Sequence, residues 1–152
     1  MQKPSADLQQ PSTRWLTPED FEYLCFDLAR ELLTYQEPIP DYSTRDNSLL
    51  ESALGAPSQT FDQKLLYPTL QKQVTILFYS LIKNHPFRNG NKRIAVMSLL
   101  AFLSVNAKWI NIKPKKLYEI ACMVSESLPS KRSEILDLLE KMITQDLIDY
   151  PI

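Results

Sequence analysis

The chain has 152 residues and a mass of 17.6 kDa, room for one ordinary domain, and its 44% hydrophobic and 23% charged content excludes disorder over most of its length. Seventeen basic against 18 acidic residues leave a net charge of -1, which argues against a general electrostatic grip on nucleic acid. Only two glycines, Gly55 and Gly90, exclude a GxGxxG turn, a phosphate-binding P-loop and any fold dense in tight hairpins, so an all-α domain remains.

Residues 1–14 are polar and read as a flexible N-terminal tail ahead of a single domain over 15–152. The tail lacks the apolar core of a signal peptide, and no apolar run approaches the roughly 18 residues of a membrane span. A cytoplasmic protein without membrane contact is therefore expected. Thr17-Pro18-Glu19-Asp20 predicts a helix start, with Thr17 as cap, proline at the first position and acids at the positive end of the dipole. Phe21, Leu24, Cys25, Leu28 and Leu32 then fall on one helical face. Glu37-Pro38-Ile39-Pro40 stops that helix.

A short helix is predicted over about 46–54, ended by Gly55 and Pro57 in C-cap order. Residues 56–66 lack helical period and read as a loop holding a short extended hairpin. Val74, Leu77, Phe78, Leu81 and Ile82 form the next amphipathic stripe. The run from Ile94 to Leu103 is apolar nearly all round and predicts a helix at the centre of a bundle. The stripes Leu117/Ile120/Ala121/Val124 and Ile135/Leu138/Leu139/Met142 give two surface helices. Cys25 and Cys122 lie within these patterns, in no zinc spacing, and read as reduced core thiols.

One segment does not read as scaffold: His85-Pro86-Phe87-Arg88-Asn89-Gly90-Asn91-Lys92-Arg93. It gathers the only histidine, one of the two glycines and three cations at the N-terminus of the most apolar helix. A helix N-terminus exposes unpaired N–H groups and partial positive charge, and Gly90 permits a turn that aims those groups at one point. Lys92 and Arg93 add full charge, and arginine can hold a phosphate in bidentate fashion. Cations there oppose the dipole at about 0.3–1 kcal/mol each, a local conflict that an anion would resolve. His85 can accept a proton near neutral pH. A base beside a phosphate cradle points to phosphoryl or nucleotidyl transfer to a hydroxyl.

These nine residues resemble the HxFx(D/E)GNxR motif of the Fic/Doc superfamily, and lysine at position 92 is typical of its Doc (death on curing) toxin branch. Arg45-Asp46-Asn47-Ser48-Leu49-Leu50-Glu51-Ser52-Ala53-Leu54 resembles the RDxGLLESAL segment of Doc-like proteins. Leu66-Tyr67-Pro68-Thr69 and Tyr79-Ser80-Leu81-Ile82-Lys83-Asn84 also fit, so the likeness runs from about 15 to 125. It implies a compact bundle of about six helices, with 56–66 as a target-docking flap beside the motif loop. His85 is implied as general base, Phe87 as loop anchor, and Gly90, Asn91, Lys92 and Arg93 as the phosphate site, with Arg93 the clamp.

The resemblance further implies ATP and Mg²⁺ as cofactors. Lysine at 92 is associated with transfer of the terminal phosphate, glycine there with AMP transfer. The founding Doc activity implies elongation factor Tu as a target. Asn89 departs from the motif, whose acid binds Mg²⁺; asparagine offers one neutral oxygen and makes a weak metal site. The alternatives are therefore AMP transfer, or a weakened domain that serves as a binding module. A third class, nucleic-acid binding through Lys113, Lys115, Lys116, Lys131 and Arg132, rests on residues at predicted helix ends, where solvated cations are the default. No glutamate precedes a glycine or asparagine, so the inhibitory pattern (S/T)xxxE(G/N) of many Fic proteins is missing. Control by a small antitoxin follows from the resemblance, its tail docking as a helix against 19–33 or 117–128.

Overall fold

Thr17 opens the first helix with a reciprocal cap: its hydroxyl accepts from the Asp20 amide at 3.0 Å, and the Asp20 carboxylate accepts from the Thr17 amide at 3.3 Å. A computed structural model describes residues 13–150. Residues 1–12 of the expected tail lie outside the described residues. Thr13 and Arg14, its last two, are tied down: Thr13 donates to Gln73 at 3.1 Å, and the Arg14 amide donates to Asn106 at 2.8 Å.

Helix α1 (18–32) is α-helical over Pro18–Asp20, π-helical over Phe21–Asp27 and α-helical again over Leu28–Leu32. The wider π turn carries an extra residue and rotates the buried face. Phe21, Cys25, Phe26 and Ala29 are fully buried, whereas Leu32 of the predicted stripe is 63% exposed. Helix α2 (Asn47–Gly55) is capped by the Asp46 carboxylate, which accepts from the Leu49 amide at 3.0 Å. The α-helix ends at Gly55 as expected, but not through a left-handed glycine cap. With φ -81 the glycine stays in the right-handed region, and the chain continues into a single 3₁₀ turn, Ala56–Ser58.

The expected hairpin is present as β1 (Thr60–Phe61) and β2 (Lys64–Leu65), antiparallel. Asp62 and Gln63 make its turn at φ 54 and 64 without the usual glycine. Helix α3 (Leu70–Asn84) starts under a Thr69 cap and is buried at every position from Gln73 to Tyr79. It is thus more central than a single stripe implied. Helix α4 (Asn91–Val105) lies at the centre with it, buried on nearly all sides as expected. Buried Gln73, Thr75 and Ser98 bond to the carbonyls of Tyr67, Gln71 and Ile94, so their burial leaves no unpaired group.

Helix α5 (Pro114–Glu126) buries its predicted stripe, whereas helix α6 (Arg132–Asp146) buries only Leu139 of its expected stripe, together with Ile143. Two further strands were not foreseen. β3 (Lys108–Ile110) pairs antiparallel with β4 (Leu147–Asp149), Trp109 opposite Ile148. Each is three residues long, too short for a readable alternation. Cys25 is buried, Cys122 is half-buried, and both are free thiols. The described residues thus form six helices with two short strand pairs, a mostly helical bundle of the expected kind. None of those helices is long and apolar enough to cross a membrane.

Candidate phosphate-binding loop

The loop between α3 and α4 is held at both ends by the two central helices. His85 is the C-cap of α3 and stands in the left-handed region, φ 55 and ψ 54, where glycine usually ends a helix. That conformation costs a non-glycine residue roughly 1–2 kcal/mol. It leaves the imidazole exposed at the helix end. Phe87 is buried, its ring 5.1 Å from Phe26, 6.1 Å from Tyr42 and 6.4 Å from Phe21. The loop is also tied to α2: the Asp46 amide donates to the Pro86 carbonyl at 2.8 Å, and the Asn84 side chain donates to the Leu49 carbonyl at 3.1 Å.

Asn91 closes the loop on itself. Its amide oxygen accepts from the Phe87 N–H at 3.0 Å and its amide nitrogen donates to the Phe87 carbonyl at 2.6 Å. The side chain thus braces the loop with its oxygen and one of its two amide hydrogens. Gly90 is the N-cap of α4 at φ 86, and no side chain caps this end. The Ile94 amide is the one that reaches back to the Gly90 carbonyl, at 2.9 Å. The amides of the first turn, Asn91 to Arg93, thus present the partial positive charge of α4, with half-buried Lys92 beside them.

Arg93 and Asn89 are placed differently from the rest. Arg93 is only 2% exposed, and its two terminal nitrogens donate to the Leu33 carbonyl at 3.2 Å and the Glu37 carbonyl at 2.6 Å. Two of its five N–H donors are thus held by the strap. The Asn89 amide nitrogen donates to the carbonyls of Glu37 and Pro38 at 3.3 and 3.1 Å. Ile39, 2% exposed, packs so closely on Gly90 that a Cβ at residue 90 would come within 2.5 Å of its Cγ1. Residues 33–39 therefore lie across the loop as a strap. The strap turns at Gln36, φ 72, and an Arg30–Asp41 ion pair at 3.0 Å joins its flanks.

Tyr35 of the strap meets Tyr118 of α5 edge-on, ring centroids 4.9 Å apart. Burial raises both phenol pKa values, and the charge of Arg93 pulls each partly back. The strap was missed in the sequence, where 37–40 registered only as a helix stop. The available signal was Ile39, a lone apolar residue between two prolines.

A nucleotide phosphate fits the uncapped turn of α4, whose donors are amides and a lysine. Mg²⁺ held by residue 89 does not fit. The side chain there is turned to donate to carbonyls, the motif around it carries the cations Arg88, Lys92 and Arg93, and no group of three or more His, Cys, Asp or Glu that could hold a metal occurs among the described residues. A hollow of about 300 Å³ opens beside the last turn of α3, lined by Tyr79, Ser80, Lys83, Asn84, Pro129 and Arg132. Another of about 260 Å³, between α3 and α6, contains none of the motif residues.

A basic loop turned by glycine thus stands at the head of a buried central helix. The Fic/DOC family matches over residues 15–103, and the chain belongs to that family. It is also similar to Toxin Doc of Mycolicibacterium smegmatis, 35% identical over 66 residues, which are 43% of this chain and 51% of that protein. The chain thus spans about half the length of the curated relative it matches. No solved structure matches it.

Proposed function

We propose that this chain is a cytoplasmic Doc-like toxin that transfers the terminal phosphate of ATP to a hydroxyl of a target protein. The observation that carries the reading is one loop that joins an exposed histidine to an uncapped helix N-terminus with a lysine beside it. The amides of residues 91–93 and Lys92 bind the phosphates and offset the charge that spreads over them in the transition state. His85 takes the proton of the target hydroxyl as its oxygen bonds to the terminal phosphorus. The bond from that phosphorus to its bridging oxygen breaks, and ADP leaves. Mg²⁺ carried on the nucleotide neutralises phosphate charge when bound, and residue 89 adds no ligand charge to it. Lys92, where AMP-transferring relatives have glycine, supports terminal-phosphate transfer.

Elongation factor Tu is the first target to test, and a small antitoxin is the partner to expect. The binding-module reading gains from one observation: the strap occupies the side chains of both Asn89 and Arg93. Labelling separates the readings. With ATP and Mg²⁺, label should reach the target from the γ-position and not the α-position. His85→Asn should abolish it while preserving the fold, because asparagine tolerates the left-handed conformation that alanine does not. Transfer from α-labelled ATP supports AMP transfer instead. Nucleotide binding without any transfer supports the binding module.

A further inference from the structure

Three positions of the motif are matched, one by one, to the strap. The Asn89 amide nitrogen has two hydrogens and two acceptors, the consecutive carbonyls of Glu37 and Pro38. Consecutive carbonyls of an extended chain point apart; these two converge just after the left-handed turn at Gln36. Arg93 reaches the same Glu37 oxygen from α4 and adds the Leu33 carbonyl at the end of α1. A buried cation on that last turn also complements the negative end of the α1 dipole. Gly90 leaves free the volume that Ile39 fills.

This geometry explains the departure from the motif. Both neighbours of the residue 89 side chain are acceptors, so the position needs a donor. An ionised carboxylate has none, and it would face the negative ends of two carbonyl dipoles. We propose that Asn89 and Arg93 are positioning residues that hold residues 33–39 as a fixed strap on the motif loop, and that residue 89 is not a metal ligand in this chain. The proposal stands on contacts within the chain and does not depend on the transferase reading. It adds a positioning role for Arg93 without using up its donors, since three of its five N–H groups are not engaged by the strap.

The test reads the strap itself, in the full chain. Limited proteolysis with chymotrypsin, which can cut after Leu33 and Tyr35, should be slow within the strap in the wild type. Asn89→Asp removes both donors to the strap carbonyls, and cleavage within 33–37 should speed up by about ten-fold or more while α3 and α6 stay uncut. Asn89→Gln, which keeps the amide, should return part of the resistance. A spectroscopic arm uses the wild type alone. The Asn89 side-chain amide protons should be protected, and their NMR signals should stay in place when millimolar Mg²⁺ is added without nucleotide. Cleavage of the strap that Asn89→Asp leaves unchanged, or Asn89 amide signals that move with Mg²⁺, overturns the proposal. If Asn89→Asp loosens the whole chain rather than the strap, the wild-type amide signals decide.

Discussion

Gly90→Ala should be among the most damaging single-methyl additions in this protein. At φ 86 an alanine pays roughly 1–2 kcal/mol for the left-handed backbone. Its Cβ would also lie 2.5 Å from Ile39 Cγ1 and 3.1 Å from Cδ1, well inside ordinary contact. Ile39 is 2% exposed and cannot swing into solvent, so the overlap is a case of core overpacking, typically about 1–3 kcal/mol. Together these give about 2–5 kcal/mol, or a fall in Tm of roughly 4–20 °C for a chain of this size. Urea denaturation of Gly90→Ala, Ile39→Ala and the double variant tests the origin of the loss. Ile39→Ala alone should cost about 2–5 kcal/mol by opening a cavity. In the double variant the new methyl occupies that space, so the two losses should fall short of additivity by about 1–3 kcal/mol. Additivity within about 0.5 kcal/mol, or a Gly90→Ala loss below about 1 kcal/mol, would refute the argument.

The other glycine should behave in the opposite way. Gly55 lies in the right-handed region, and an added methyl there would meet nothing within 4 Å, so Gly55→Ala should be neutral or raise stability by up to about 1 kcal/mol in the same denaturation assay. Burial pushes the Cys25 thiol from 9.0 up to about 12, against a hydrogen bond with Ser98 that lowers it. In the native protein a thiol reagent at pH 8 should therefore modify half-buried Cys122 and spare Cys25 until the chain unfolds. Because the folded pKa is raised, the stability linked to Cys25 is complete below pH 9 and is lost as pH climbs towards 12. Denaturation midpoints should fall over that window, and less steeply in Cys25→Ala.

Features written in side chains close together along the sequence could be read from it. The Thr17–Asp20 cap and the 117/120/121/124 stripe are local, and both stand where the spacing put them. The face of α1 was misplaced at Leu32 because a π turn changes the period, and no residue type announces that turn. The β3–β4 pair joins residues about 40 apart through main-chain bonds, which leave no trace in three-residue strands. At the site, the loop itself was legible from its charge, its glycine and its histidine. The partners of Asn89 and Arg93 were not, because they are carbonyl oxygens, and every residue carries one.

The two ends of the described chain return to a single turn. Arg14 bonds through its amide to the Asn106 side chain, and the Tyr150 amide donates to the Ala107 carbonyl at 3.1 Å. That turn follows the C-terminus of α4, and the 15 residues of α4 separate it from the motif loop by about 22 Å. Residues 14 and 150 thus lie near enough for a short linker to join them, and the chain has the geometry of a ring that can be opened elsewhere. A circular permutant could carry its new ends in the exposed 128–131 connection, with the motif end of α4 untouched. A pulling force applied through residues 14 and 150 would load the far end of that helix first and reach the loop last.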